Sequence, residues 1–243
     1  MRVLAVLTYK GTLYQGWQRQ VDEPSIQKTI EEVISKILNA PTVIYASGRT
    51  DSGVHALGQT FHFDIEKKID LDRLRYSINC LLPNDIHIKS LKEVSSSFHA
   101  RYDARKKVYC YKILLGEDDP LLFDYYYIHH QAFDYSLFKK VLKHFIGTHN
   151  YQNFTSKKED KDNFIRTIYR IKVQKKSNKI SITFIGNGFM RYMIRNIVGY
   201  AFAVMENKET LSTLKKLLDD NLPRHITSYK APAKGLYLKK VIY

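Results

Sequence analysis

Apolar residues along this chain switch between a period of two and a period near 3.6 in a set order, and that order occurs twice. A period of two puts alternate side chains on one face of a strand, whereas 3.6 puts them on one stripe of a helix. Val3 to Tyr9 alternates as a strand. Ser25 to Asn39 carries Ile26, Ile30, Val33, Ile34, Ile37 and Leu38 at helical spacing, behind a serine able to cap the first free amides. Thr42 to Ala46 and Gln59 to Asp64 read as strands, Leu71 to Cys80 as a helix begun by Asp70, and Ile86 to Val94 as a strand after Pro83. The second pass is less regular. It has a strand over Lys107 to Leu115, a helix over Tyr135 to Ile146 ended by Gly147, and strands Thr167 to Lys175 and Lys179 to Ile185 around a turn at Ser177 and Asn178. A helix over Arg191 to Met205, an extra helix over Leu211 to Asp219 and a last strand over Leu236 to Tyr243 complete it. The expected fold is α+β, with two ferredoxin-like β-α-β-β-α-β halves, each an antiparallel sheet with helices on one face. The repeat is one of topology, not of sequence.

Division after Asp103 separates the halves and makes the charge asymmetric. The 243-residue chain is 44% hydrophobic, enough for a packed core, and carries a formal charge of +15. Residues 1–103 hold a net +1 and residues 104–243 a net +14. Such a balance favours a polyanion, nucleic acid before membrane, with the C-terminal half supplying most phosphate contacts. The apolar run Val3 to Leu7 is too short for a signal segment, and no run approaches membrane-spanning length, so the expected compartment is the cytoplasm. Cys80 and Cys110 are too few and too far apart for a zinc site, and both are expected to be reduced. The nine histidines include His129 and His130 together but no metal-binding spacing, and glycine-rich phosphate loops are absent. Neither a metal nor a cofactor is expected.

The chemistry-bearing segment is Ser47 to Asp64, SGRTDSGVHALGQTFHFD, where a small-residue loop holds Arg49, Asp51 and His55 and runs at once into an alternating strand. Gly48, Gly53 and Gly58 permit tight turns and close approaches, so Arg49, Asp51 and His55 can project from a shaped loop. Composition alone fits equally a polar turn whose aspartate caps local amides. The order GRTDSGVHA, however, resembles the signature of the tRNA pseudouridine synthase A family. Four further segments agree in the family's order: YKGTLYQGWQRQ (Tyr9 to Gln20), FHARYDARKKVYCY (Phe98 to Tyr111), GFMRYMIRNIVG (Gly188 to Gly199) and APAKGLYLKKVIY (Ala231 to Tyr243). Lys10 departs from the family's YDGT, at a position that faces no proposed chemistry.

The resemblance implies that the two sheets join into one, with the active cleft between the halves. It implies a cofactor-free isomerase acting on uridines 38, 39 and 40 of the tRNA anticodon stem-loop, working as a homodimer. Asp51 carries over as the catalytic carboxylate, Tyr109 as the pocket tyrosine, Arg195 as the arginine beside the aspartate, and Leu236 as an apolar wall of the uracil pocket. Asp51 either attacks C1′ or takes a proton from C2′, and the sequence does not choose between them. A base stacked in a stem has to be flipped out, and Arg49 is assigned to holding the opened backbone or filling the vacated space. His55 is left to the loop scaffold.

Arg191 lies four residues before Arg195, which on a continuous helix shares its face. Candidate phosphate contacts are the clusters Arg105, Lys106 and Lys107; Lys157, Lys158 and Lys161; and Lys172, Lys175, Lys176 and Lys179. Most of the 18 Tyr and 12 Phe belong to the core, some permit base stacking, and segment 118–130, with three tyrosines in a row, has no assigned part. Two alternatives stand. A non-catalytic RNA-binding or RNA-chaperone protein accounts for charge and aromatics but not for the GRTD loop together with a distant RNIVG segment. A nuclease using Asp51 and His55 lacks the clustered carboxylates of metal-assisted cleavage.

Overall fold

The structure, a computed structural model, describes residues 1–156, 164–218, 224–225 and 227–243. Among them it holds ten strands and five α-helices, a mixed α+β fold as expected. The first stretch runs β1 (Arg2–Tyr9), α1 (Ile26–Leu38), β2 (Tyr45–Ala46), β3 (His55–Asp64), α2 (Leu71–Leu81) and β4 (Ile86–Val94). Then come β5 (Lys106–Leu115), β6 (Tyr127–His129), α3 (Tyr135–Lys143), β7 (Gly147–Asn150), β8 (Ile165–Lys176), β9 (Lys179–Gly186), α4 (Met193–Met205), α5 (Leu211–Leu217) and β10 (Leu236–Ile242). The chain forms two compact units, one of Met1–Arg105 with Tyr237–Tyr243 and one of Lys106–Leu236.

In the first unit β1 lies between β3 and β4, antiparallel to both. Its alternation buries Val3, Ala5, Leu7 and Tyr9 almost completely. Helix α1 starts at the Ser25 cap, whose hydroxyl accepts from Lys28 N, and lays Ile26, Ile30 and Ile34 into the core. Asp70 caps α2 by accepting from the Asp72 and Arg73 amides, and Leu74 and Ile78 are its buried face. The strand expected from Thr42 shrinks to Tyr45–Ala46 because side chains take its amides. Glu31 accepts from Ile44 N at 3.0 Å, and Ser35 accepts from Thr42 N at 2.9 Å. Strand β3 begins at His55, four residues earlier than expected, because Ala56 pairs with Tyr9 and the chain's last strand runs parallel to it, Tyr237 beside His55 and Leu238 beside Ala56.

In the second unit β9 lies between β5 and β8, and β7 follows β8, all antiparallel. Strand β6 pairs with β5 in parallel. Sequence periodicity passed over β6 and β7 because three or four residues are too few to display a period. Tyr109, Tyr111 and Ile113 face Phe184, Ile182 and Ile180 on the buried side. Helix α4 is buried from Met193 to Val204, apolar on nearly all sides as a central helix must be. Helix α3 ends at Lys143, short of Ile146, as the amides of His144, Phe145 and Ile146 turn to carbonyls three residues back. Helix α4 begins two residues later than expected because Tyr192 sits at φ 63°, a left-handed conformation that cannot continue a right-handed helix. The end of the expected last short helix, Asp219, lies outside the described residues.

Candidate active site

The loop of residues 47–54 is held at both ends and in the middle. At its entrance Ser47 Oγ donates to Gln59 Oε1 at 2.8 Å, and Gln59 Nε2 donates to Gly48 O at 2.9 Å. At its exit His55 is buried, its Nδ1 accepting from Gly11 N at 3.1 Å and its ring stacked 4.7 Å from Tyr237. In the middle Thr50 is buried, its hydroxyl 2.7 Å from that of Tyr9, while Trp17 N donates to Thr50 O at 3.1 Å. Burial pushes the Tyr9 phenol well above its ordinary pKa, so this pair stays neutral.

These anchors come from Tyr9 to Gln20, so the structure brings together the first two of the family-like segments. Two glycines make the approach possible. A Cβ on Gly11 would lie 2.0 Å from Val54 O, and one on Gly16, at φ +89°, would lie 2.6 Å from Thr50 O. The turn is closed by Val54 N donating to Asp51 O at 3.2 Å and by Gly53, at φ 73°, donating to Tyr14 O at 3.4 Å. Asp51 is half-buried, one residue beyond the clamped Thr50 peptide, and Arg49, one residue before it, is exposed. The backbone on either side of the carboxylate is therefore rigid.

In the second unit Tyr109 is a buried residue of β5, edge-on to Phe189 with ring centroids 5.2 Å apart. Arg195 occupies the first turn of α4 and is 9% exposed. Its Nε donates to Ala231 O at 2.8 Å and its carbonyl accepts from Ala231 N at 3.0 Å. Gly199 allows the same contact one helical turn on, since a Cβ there would lie 2.8 Å from the Tyr229 carbonyl carbon. The RNIVG and APAKGLYL segments, far apart in sequence, are thus stitched backbone to backbone. Leu236 is buried after a 3-10 turn at Ala233–Gly235, where a Cβ on Gly235 would meet Tyr111 Cζ at 2.7 Å.

One expectation changes. Arg191 precedes the αL residue Tyr192 and is outside α4, so Arg191 and Arg195 do not share a helix face. They meet instead around the Tyr192 ring, with guanidinium carbons 4.9 and 5.2 Å from its centroid and Lys230 Nζ at 4.5 Å. The sequence did not single out Tyr192, and its positive φ is visible only in the backbone. Lys175 and Lys176 are both exposed but, as neighbours on β8, point to opposite faces, Lys175 opposite buried Ile180 and Lys176 opposite exposed Lys179. Arg105 is exposed, its amide donating to Ile242 O at 2.8 Å. The cluster Lys157, Lys158 and Lys161 lies outside the described residues.

Among the described residues no group of three or more His, Cys, Asp or Glu is placed to hold a metal ion, and no helix is long and apolar enough to cross a membrane. Cys80 is exposed and Cys110 buried, both as free thiols.

A sequence model described as tRNA pseudouridine synthase matches residues 5–103 and 141–243. The tRNA pseudouridine synthase A of Mycoplasmoides gallisepticum is 39% identical over 242 residues, spanning 99% of this chain and 90% of the relative. That of Anoxybacillus flavithermus is 36% identical over 245 residues, spanning 100% and 98%. A chain of a solved Cbf5-Nop10-Gar1 complex superposes with a TM-score of 0.38 at 14% identity, over 82% of this chain and 53% of that one, a likeness too slight to bear on function.

Proposed function

Because the chain belongs to the tRNA pseudouridine synthase family, we propose that it isomerises uridine to pseudouridine in tRNA, at positions 38, 39 and 40 of the anticodon stem-loop, with Asp51 as the catalytic carboxylate. The observation that carries this reading is the setting of Asp51. It is half-buried on a loop whose preceding peptide is fixed by Tyr9 and Trp17, in the one segment where the family-like word and the backbone clamp coincide.

The reaction breaks the bond from N1 to C1′, turns the uracil within its pocket and forms a bond from C5 to C1′. The C5 proton leaves and N1 gains one, so the product is an isomer and no redox partner enters. The carboxylate has to be ionised, whether it adds to C1′ or takes the C2′ proton. A buried guanidinium such as Arg195 favours the charged form of a nearby carboxylate, and Arg195 is the cation assigned to Asp51. Rigid attachment of the loop keeps the carboxylate's approach to the sugar within narrow limits, the condition for a large orientation effect.

The other residues serve the uracil and the backbone. Tyr109 stacks on the extruded base and aids removal of the C5 proton, while Leu236 forms an apolar wall. Arg49, exposed beside Asp51, supports the opened helix, which offsets unstacking of about a few kcal/mol. Arg105, Arg191, Lys175 and Lys176 are assigned to the tRNA backbone, Lys175 and Lys176 from different faces of β8. The enzyme works in the cytoplasm as a homodimer.

The test is tritium release from tRNA labelled at uridine C5, without added metal or cofactor. Wild type releases tritium, whereas Asp51→Asn binds the tRNA with unchanged affinity and releases none. Release by Asp51→Asn at the wild-type rate would remove Asp51 from the chemistry. A folded wild type that binds tRNA and releases nothing would favour the RNA-binding alternative.

A further inference from the structure

The turn that leads into α4 is built on a residue ill suited to its backbone. Met193 N donates to Met190 O at 3.1 Å, which closes a four-residue turn with Tyr192 in third place, at φ 63° and ψ −3°. A turn of that hand ordinarily takes glycine or asparagine there. The other non-glycine residues at positive φ among those described are Asn39, Ser177 and Asn207, all small and polar, so Tyr192 is the one bulky side chain held in this conformation. Its peptides are pinned on both sides. Thr155 Oγ1 donates to Arg191 O at 3.1 Å, and Asn196 N donates to Tyr192 O at 2.8 Å. The Tyr192 side chain makes no capping bond to α4. Strain of this kind persists only where the surroundings enforce it, and it is concentrated where a side chain has to be aimed.

What the Tyr192 ring meets is cations. Arg195 Cζ lies 5.2 Å from its centroid, Lys230 Nζ 4.5 Å and Arg191 Cζ 4.9 Å, while Arg191 Nη2 donates to Tyr192 Oη at 3.1 Å. Arg191 and Lys230 are exposed, and Arg195 is the buried member of the three. Its Nε donates to Ala231 O at 2.8 Å, which sets one direction of the guanidinium, and the ring adds a second constraint from another direction. An aromatic face attracts a cation through its quadrupole and consumes none of the guanidinium N–H donors. A carboxylate in the same place would take two of those donors and neutralise the charge. The ring therefore holds Arg195 while leaving its charge and its Nη hydrogens to the site it serves.

We propose that Tyr192 is a positioning residue for Arg195, and that its left-handed backbone is kept because it lays the ring against the guanidinium. Tyr192 has this role under the reading above, in which Arg195 is the cation assigned to Asp51.

The experiment compares Tyr192→Phe, Tyr192→Leu and Tyr192→Gly with wild type in single-turnover tritium release from C5-labelled tRNA across pH. Enzyme is saturating, so binding does not enter the rate, and thermal unfolding of each protein is followed alongside. Tyr192→Leu loses the ring, and its rate falls about 10- to 100-fold. A guanidinium beside a carboxylate lowers its pKa, so an ill-placed Arg195 lets that pKa rise and moves the acid limb of the rate profile to higher pH by about one unit. Tyr192→Phe retains the ring and keeps the limb in place, with a rate within about twofold of wild type. Glycine accepts φ 63° without steric cost, so Tyr192→Gly unfolds at a higher temperature than Tyr192→Leu and yet is as slow, with the same displaced limb. The glycine variant also carries the test if Tyr192→Leu fails to fold. A wild-type rate and limb in Tyr192→Leu or Tyr192→Gly overturn the positioning role and leave the enzyme reading intact. Rates that follow thermal stability while the limb stays in place make Tyr192 a structural residue of the turn, and overturn the role as well. A folded wild type that binds tRNA and releases no tritium overturns the enzyme reading, and the role of Tyr192 falls with it.

Discussion

Gly16→Ala is expected to damage catalysis without touching substrate. Gly16 has φ +89°, and an added Cβ would lie 2.6 Å from Thr50 O and 3.0 Å from the Asp51 carbonyl carbon. Ordinary van der Waals contact there begins at 3.4 Å, so the Thr50–Asp51 peptide has to retreat by several tenths of an ångström. Positive φ costs an L-residue about 1–2 kcal/mol. Weakening the bond from Trp17 N to Thr50 O adds about 1 kcal/mol. The total, about 2–3 kcal/mol, leaves a domain with a typical stability of about 5–15 kcal/mol folded. The same displacement reaches the Asp51 carboxylate through one residue of backbone, and a shift approaching 1 Å lowers a positioned reaction by about 10²-fold. We therefore expect kcat for tritium release to fall by about 10- to 100-fold, with tRNA affinity within twofold of wild type. Gly58→Ala is the matched comparison, because its Cβ would lie 2.7 Å from Lys239 O, a similar clash on β3 away from the loop. It should lower Tm comparably and spare kcat. Equal kcat losses in the two variants, or a Gly16→Ala enzyme with wild-type kcat, would refute the idea that the clamp on Thr50 positions Asp51.

Other expectations follow from the same geometry. Arg195→Gln removes a buried guanidinium that donates to Ala231 O, and should cost about 1–3 kcal/mol in urea unfolding as well as nearly all turnover; Arg195→Lys recovers little of either, because lysine lacks the planar Nε donor. His62 is held to a pKa of about 4, mainly by burial and then by the nearby charges of His99 and Arg2, against smaller opposing effects of Asp64 and the Tyr45 backbone. Its folded pKa lies below the unfolded value near 6.5, so its contribution is full above about pH 6.5 and is lost as pH falls toward 4. Wild type should then lose about 1–2 kcal/mol more than His62→Asn between pH 7 and pH 4, measured by urea midpoints at each pH; equal losses would show that His62 is charged without penalty in the fold. Tyr9→Phe, which removes the hydroxyl bonded to Thr50, should lower kcat several-fold with little change in Tm, and an unchanged kcat would make that bond irrelevant to the site.

Among the described residues periodicity located eight of the ten strands and all five α-helices, because most are long enough to show one or two full cycles of burial. It passed over β6 and β7, which owe their form to partners and not to their own pattern. Capping chemistry was legible at Ser25 and Asp70, since a cap is decided within four residues. The same local reading failed at Thr42 to Ile44, where Ser35 and Glu31, distant along the chain, took the amides. It failed again at Arg191, because nothing in the tripeptide announces that Tyr192 adopts a left-handed backbone.

The sequence by itself determined the α+β class, the starts of α1, α2, α3 and α5, the basic second half and the family to which the chain belongs, all properties of residue order over short windows. Only the tertiary structure decided that Gly11 and Gly16 exist for the Thr50 to Val54 backbone, that Ala231 holds Arg195, that Lys175 and Lys176 part company, and that Lys112 and Lys179 meet the Tyr126 ring. Each of these depends on contacts between residues far apart in the chain. Such contacts leave no periodic trace, because the chain specifies them only through the whole packing that brings the partners within reach.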